Sequence, residues 1–250
     1  TARSDEFMTE EGQKIAAENL LKRGINGLVV IGGDGTLTGA SKLLDKGINV
    51  VAIPATIDND LGYTDYTIGF MTATETIVDA ISKLRDTSSS HGRANVLEVM
   101  GRNCGDLALT AGLAGGAETI IVPEIPFDLD KMVEKAVSGI KRGKRHHIIV
   151  VAEGAASAYE ISKELQSRAG IETRETVLGH VQRGGMPTVF DRLMASRMGN
   201  IAVKLLSNNR TNIALGLKCN EIVKLDIDSA LNIPKRIDQE IFEIADILSI

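Results

Sequence analysis

Tryptophan is absent from the 250-residue chain, and aromatic residues make up only 3% of it. Without them there is no platform on which nucleic-acid bases stack, so nucleic acid is set aside as a partner. Cysteine is nearly absent too. Cys104 and Cys219 stand apart without CxxC spacing, so they neither staple a fold nor suggest a metal site, and they fit a reducing, cytoplasmic setting. The longest apolar runs, residues 27–31 and 148–152, have strand length, far short of the roughly 20 residues that cross a membrane. The opening Thr-Ala-Arg-Ser-Asp-Glu-Phe lacks the basic start and apolar stretch of a signal peptide, and it does not begin with Met. A large excess of either charge is also missing: 28 Lys+Arg against 33 Asp+Glu give a net charge of −5. That excludes a general polyanion binder and requires any anionic ligand to be held by a local cluster of bases. What remains is an ordinary globular composition, 43% hydrophobic and 24% charged, with enough apolar material for a sizeable core in one large or two modest domains.

Strand-like and helix-like patterns alternate along the chain. Residues 28–31, 50–53, 95–100, 119–122, 147–152 and 176–178 read as buried strands. Residues 10–23, 38–46, 72–85, 106–114, 129–142 and 158–169 carry apolar residues at helical spacing. Asp128 suits an N-cap, and Gly24, Gly47 and Gly143 suit helix stops. Residues 188–206 form one long predicted helix, 214–223 a looser β segment, and 237–248 a closing helix. Such alternation predicts α/β layering with mainly parallel sheets.

Two loops at predicted strand ends carry chemistry. In Ile31-Gly32-Gly33-Asp34-Gly35-Thr36 the glycines admit close backbone approach, the following helix offers amides to phosphate oxygens, and Asp34 suits a hydrated Mg²⁺. The pattern is neither a dinucleotide fingerprint nor a P-loop, and a bare tight turn is its plain alternative. Pro54-Ala55-Thr56-Ile57-Asp58-Asn59-Asp60 places carboxylates and a hydroxyl at the end of the next strand, where α/β sheets hold ligands; an Asx-rich turn is the alternative. His91, Arg93, Arg102, Arg174, His180 and Arg183 add bases at or near element ends, several beside glycine. Arginine suits bidentate recognition of phosphate. The run Lys141-Arg142-Gly143-Lys144-Arg145-His146-His147 reads either as a cationic helix end or as an anion site.

Gly-Gly-Asp-Gly-Thr, Thr-Ile-Asp-Asn-Asp, Thr64-Asp65-Tyr66-Thr67-Ile68-Gly69-Phe70, residues 84–91, Met100-Gly101-Arg102 and Leu178-Gly179-His180-Val181-Gln182-Arg183-Gly184-Gly185 occur in one order. Together they resemble the bacterial-type ATP-dependent phosphofructokinase family over essentially the whole chain. The resemblance implies two three-layer α/β lobes, an ATP lobe of residues 1–69 and 182–232 and a sugar-phosphate lobe of 70–181 and 233–250. It implies transfer of a phosphoryl group from MgATP to fructose 6-phosphate, in glycolysis. Asp58 would be the base, with Thr56 and Arg102 on the transferring group, and Asp34 would hold Mg²⁺ with Asp60 nearby. Arg3, Ser4, Gly33, Asp34, Gly35 and Thr36 would line the ATP site. Met100, Gly101, Arg102, Glu153, His180 and Arg183 would bind fructose 6-phosphate, and Arg93 and Arg174 would reach it from a neighbouring subunit of a homo-oligomer, a tetramer in the family.

Arg85, Gly116, Glu118, Lys144, Arg145 and His146 would form a nucleotide effector site. Pyrophosphate-dependent relatives carry Asp where Gly35 stands and Lys where Ala55 stands, so the small residues here imply ATP as the donor. The family opens with about 70 residues that have no counterpart ahead of Arg3. The expectation is therefore that this chain alone binds anions but turns over poorly, with a catalytically silent or regulatory subunit and a pyrophosphate-dependent or NAD-kinase-like phosphotransferase as rival readings.

Overall fold

The computed structural model describes residues 4–144 and 146–248, apart from the side chains of residues 89–91. Arg3, Arg145 and the side chain of His91 lie outside the described residues. In chain order the elements are α1 (Glu10–Lys22), β1 (Gly27–Gly32), α2 (Asp34–Leu44), β2 (Asn49–Thr56), β3 (Ile68–Gly69), α3 (Phe70–His91), β4 (Ala94–Val99), α4 (Asp106–Gly115), β5 (Thr119–Ile121), α5 (Leu129–Lys141), β6 (His147–Ala152), α6 (Ala158–Ala169), β7 (Thr173–Val177), α7 (Val189–Ser207), β8 (Ile213–Lys218), β9 (Glu221–Asp226), α8 (Ile227–Leu231) and α9 (Gln239–Leu248). Short 3-10 turns occupy Glu6–Met8 and Gly179–Arg183.

The chain forms two compact units. The first takes Thr1–Thr56, Leu61–Ile68 and Val189–Lys235; the second takes Ile57–Asp60, Gly69–Thr188 and Arg236–Ile250. Relative to the division expected from sequence, the strip 57–60 joins the second unit because Ile57 packs on that unit's core. The other boundaries fall after Thr188 and Lys235.

In the first unit the strand order is β1-β2-β8-β9, with β3 also paired to β2. β1, β2 and β8 run parallel and β9 returns antiparallel. Alternation along β2 sends Val50 and Ala52 to one face, against Leu37, Ala40 and Leu43 of α2 and Ala17 of α1. Val51 and Ile53 go to the other face, against Met194, Met198 and Ala202 of α7. The segment read as one loose strand over 214–223 is a hairpin. Cys219 and Asn220 both take positive φ, 49° and 65°, the combination a two-residue hairpin turn requires.

The second unit carries the order β5-β6-β4-β7, all parallel. Every residue of β6 is buried, as expected of a parallel strand covered on both faces. Leu97, Val99, Ile148 and Val150 meet Ile77 and Ile81 of α3 and Leu107 of α4. Val96, Ile149 and Val151 meet Met132 of α5 and Leu165 of α6. Asp128 caps α5 by accepting from the amides of Asp130 and Lys131, and Ser157 with Glu160 closes a capping box on α6. Several boundaries differ from the sequence reading, α3 running to His91 and β2 to Thr56 among them, and two of the differences have a local cause. α2 begins at Asp34 rather than Thr38, because Gly33 serves as N-cap and an acidic first turn complements the helix dipole. β7 begins at Thr173 rather than Thr176, because it is an edge strand whose exposed Arg174 and Glu175 hide the apolar pattern.

Candidate active site

In the first unit, β1 ends directly in the glycine loop and pairs with the end of β2, Gly32 opposite Pro54. A Cβ at Gly32 would sit 2.3 Å from Thr36 Oγ1, and one at Gly33 would sit 3.4 Å from Thr56 Cβ. The first glycine is therefore demanded by close packing, and Gly33 lies beside Thr56. Gly35 is different: a Cβ there meets nothing within 4 Å, and the residue lies exposed between Asp34 and Thr36 in the first turn of α2. The amide of Thr36 bonds the Gly33 carbonyl at 3.0 Å, closing that turn. Thr67 Oγ1 donates to the Thr56 carbonyl at 2.6 Å and fixes the end of β2. Ser4 is exposed, ahead of the 3-10 turn whose Phe7 ring lies 3.1 Å from a Cβ built at Gly39 in α2.

In the second unit, Asp58 is 5% exposed, and its Oδ2 lies 3.4 Å from Arg102 Nε; Asp60 Oδ2 lies 3.8 Å from Arg102 Nη1. Arg102 follows β4 with φ +53°, uncommon for a residue with a long side chain. Its amide donates to Glu153 Oε1 at 2.9 Å, and the Glu153 amide in turn donates to the Val99 carbonyl at 2.9 Å. Gly101 takes φ +132°, and a Cβ there would stand 2.4 Å from the Cys104 carbonyl. The Met100 amide donates to Gln182 Oε1 at 3.1 Å, and Gln182 Nε2 donates to the Gly179 carbonyl at 2.9 Å. That buried glutamine ties the turn bearing exposed His180 and Arg183 to the end of β4. The fold thus brings together Asp58, Asp60, Met100, Gly101, Arg102, Glu153 and the turn holding His180 and Arg183. The arrangement joins a buried carboxylate to a half-exposed guanidinium, with the Arg183 guanidinium, the His180 imidazole and backbone groups on the linked turn, as acid–base work on an anionic substrate needs.

Arg93 and Arg174 lie elsewhere. Arg93 Nε and Arg174 Nη2 are each 3.0 Å from Glu172 Oε1, at the amino ends of β4 and β7. Met100 and Arg102 follow the carboxyl end of β4, about 20 Å away at 3.3 Å of rise per residue. A third group surrounds Glu118, which is buried. Lys144 Nζ is 3.7 Å and His146 Nε2 3.6 Å from its Oε1, while its Oε2 accepts from the Ile148 amide at 2.7 Å. Arg85 Nη2 donates to the carbonyls of Gly115 and Gly116, the latter at 3.1 Å, where Gly116 ends α4 with φ +69°. Beside this group His147 is 3% exposed, and burial pushes its imidazole down to about 4.

Sequence reasoning assigned no role to Gln182, Asn59 or Asp106. Gln182 sits within the quoted His-Val-Gln-Arg segment, but its burial between two exposed bases is visible only in the fold. Asn59 Nδ2 donates to Asp106 Oδ2 at 2.8 Å, a contact spanning 47 residues of sequence. A cleft of about 350 Å³ lined by Lys42, Asp45, Asn49, Thr211, Asn212 and Asp228 opens in the first unit where β2 and β8 begin. Ligands of parallel sheets sit at the opposite, carboxyl ends, so that cleft takes no part in the chemistry above. Among the described residues no group of three or more His, Cys, Asp or Glu forms a metal cage. No described helix is long and apolar enough to cross a membrane.

A family model described as Phosphofructokinase matches residues 1–206. The chain is 58% identical over 250 residues to the ATP-dependent 6-phosphofructokinase of Alkaliphilus metalliredigens, covering 100% of this chain and 78% of that protein. It is 58% identical over 249 residues to the protein of the same name from Clostridium tetani, with the same coverage of 100% and 78%. Among solved structures, a phosphofructokinase from Saccharomyces cerevisiae superposes with a TM-score of 0.85 at 35% identity, covering 99% of this chain and 36% of that longer one. A pyrophosphate-dependent phosphofructokinase from Marinobacter aquaeolei gives 0.83 at 23% identity, covering 93% of this chain and 66% of that one, and bears on the fold alone.

Proposed function

The chain belongs to the phosphofructokinase family, and on that premise we propose that it moves the γ-phosphoryl group of ATP to the 1-hydroxyl of fructose 6-phosphate, giving fructose 1,6-bisphosphate and ADP. The observation that carries this reading is the pairing of buried Asp58 with Arg102 at 3.4 Å, reached by two strand-end loops of different βα units. Asp58 accepts the proton of the sugar hydroxyl. Arg102 offsets negative charge on the transferring group and holds Asp58 in place. Thr56, two residues ahead of Asp58, supplies a hydroxyl to the same group. Gly33, Gly35, Thr36, Ser4 and Arg3 accept the nucleotide. Met100, Gly101, Glu153, His180 and Arg183 orient the sugar phosphate. Phosphoryl transfer asks for positioning and charge neutralisation more than covalent chemistry, and this set of residues offers both.

The donor set fits magnesium. Asp34 is an exposed carboxylate in a helix first turn, and no all-protein cage is present among the described residues. Mg²⁺ keeps several waters and binds through one or two carboxylates plus phosphate oxygens. Asp34 would hold it with Asp60 as the second carboxylate, and the ion would supply charge neutralisation on the phosphates. ATP rather than pyrophosphate is the donor, because the open space over Gly35 and the small Ala55 leave room for a nucleotide.

Arg93 and Arg174 serve the sugar-phosphate site of a neighbouring copy in a homo-oligomer, a tetramer by family likeness. The supporting observation is their place at the amino end of β4 and β7, remote from their own chain's Arg102. Glu118, Arg85, Gly116, Lys144, Arg145 and His146 take a nucleotide effector, the support being Lys144 and His146 at the buried Glu118 carboxylate and Arg85 at the carbonyls that end α4. The protein works in the cytoplasm.

A coupled assay with ATP and pyrophosphate offered in parallel tests the main reading, run on this chain and on a chain extended to its relatives' length. ATP-dependent formation of fructose 1,6-bisphosphate is the expected result. Turnover with pyrophosphate alone overturns the donor assignment, and no turnover in either chain overturns the function in favour of a silent subunit.

A further inference from the structure

Asn59 stands between the two carboxylates of the proposed site with φ +51° and 1% exposure. Left-handed backbone is costly for most residues and tolerated by Asn. Here the turn is also fastened. Asn59 Nδ2 donates to Asp106 Oδ2 at 2.8 Å, and Asp106 is the first residue of α4. The Asn59 carbonyl lies 3.8 Å from Cys104 Sγ, in the same β4–α4 connection. Arg102 is held in a matching way, left-handed at φ +53° with its amide on Glu153. A carboxylate and its cation thus meet from two left-handed turns, the first fastened through the side chain of Asp106 and the second through that of Glu153.

We propose that Asn59 and Asp106 are positioning residues for phosphoryl transfer: their hydrogen bond holds the turn that aims Asp58 at Arg102 and at the sugar hydroxyl. This rests on Asp58 being the base. A bond that served stability alone would leave turnover per folded molecule unchanged when it was removed.

Asn59→Gly isolates the side chain, since glycine adopts the same φ without strain. Misplacing a reacting group by about 1 Å costs on the order of 10²-fold, so kcat should fall by about 10- to 100-fold with KM for ATP within about threefold of wild type. Asn59→Asp should fall at least as far, because two carboxylates would face one another. The double substitution Asn59→Asp with Asp106→Asn restores an amide–carboxylate bond with the partners exchanged, and should recover about tenfold over Asn59→Asp. A kcat for Asn59→Gly within about twofold of wild type, or no recovery in the double variant, overturns the proposal. Crystal structures of wild type and Asn59→Gly give a readout independent of activity: the proposal requires Asp58 to leave its 3.4 Å position on Arg102 in the variant, and an unmoved Asp58 overturns it. If neither this chain nor the chain extended to its relatives' length phosphorylates fructose 6-phosphate, the functional reading falls, and the crystallographic comparison alone decides the positioning claim.

Discussion

His147 opens β6 with its ring almost fully enclosed, 3% exposed. Burial lowers its imidazole from 6.5 to about 4, against the opposing pull of the Glu118 carboxylate and with help from nearby Lys144, Lys135 and His146. Its Nε2 lies 3.4 Å from Thr119 Oγ1, while Nδ1 has no hydrogen-bond partner among the described residues. The folded chain therefore carries a neutral ring that the unfolded chain protonates first as the pH falls. The stabilising contribution is fully present above about 6.5, is lost progressively towards about 4, and changes no further below. At 1.36 kcal/mol per unit the whole effect is about 3 kcal/mol, of which about 2 kcal/mol is lost between about pH 7 and pH 5. For a chain of this size that corresponds to a fall in Tm of roughly 4–8 °C. His147→Gln replaces the ring with an amide that is neutral throughout. It should be less stable than wild type at neutral pH, yet its loss between about pH 7 and pH 5 should be smaller by about 2 kcal/mol. Denaturant unfolding of both proteins at the two pH values measures this difference, and the ring nitrogen shifts of His147 report its titration directly. Equal losses in the two proteins, or a ring that titrates near 6.5, would refute the argument.

Asp58→Asn should lower kcat by about 10²–10⁴ while leaving ATP affinity near normal, the usual consequence of losing a positioned base; near-wild-type turnover would remove Asp58 from that role. Gly35→Asp should fold normally, since a Cβ there meets nothing within 4 Å. It should raise KM for ATP by steric and like-charge conflict with the nucleotide phosphates, and unchanged KM and kcat would show that Gly35 does not select the donor. If Arg93 serves a neighbouring copy's site, Asp58→Asn and Arg93→Ala variants of the chain extended to its relatives' length should each be nearly inactive alone. Refolded together at equal ratio, they should regain about a quarter of wild-type activity, from half the pairs with one of two pockets intact. No recovery, with subunit exchange demonstrated, would place Arg93 in its own chain's site.

The sequence by itself determined whatever depends on neighbours along the chain. The alternation of strand and helix patterns, the doubly buried run of β6, the Asp128 cap and the two chemical loops at the ends of β1 and β2 were all legible, because each is written in consecutive residues. Local signals failed where an element's character came from its surroundings. The charged edge strand β7 hid its apolar pattern, the hairpin at Cys219 and Asn220 lacked a glycine to mark it, and α2 took up three glycine-loop residues that read as turn, Asp34, Gly35 and Thr36. Tertiary structure alone decided which polar groups meet. It set Arg102 on Asp58 across 44 residues of sequence, fastened Gln182 to Met100 and Asn59 to Asp106, and placed Arg93 and Arg174 on Glu172 at the far end of their sheet. Burial makes such partnerships obligatory, because an enclosed polar group must find a hydrogen bond, but which partner it finds depends on how the strands are ordered and where each one ends.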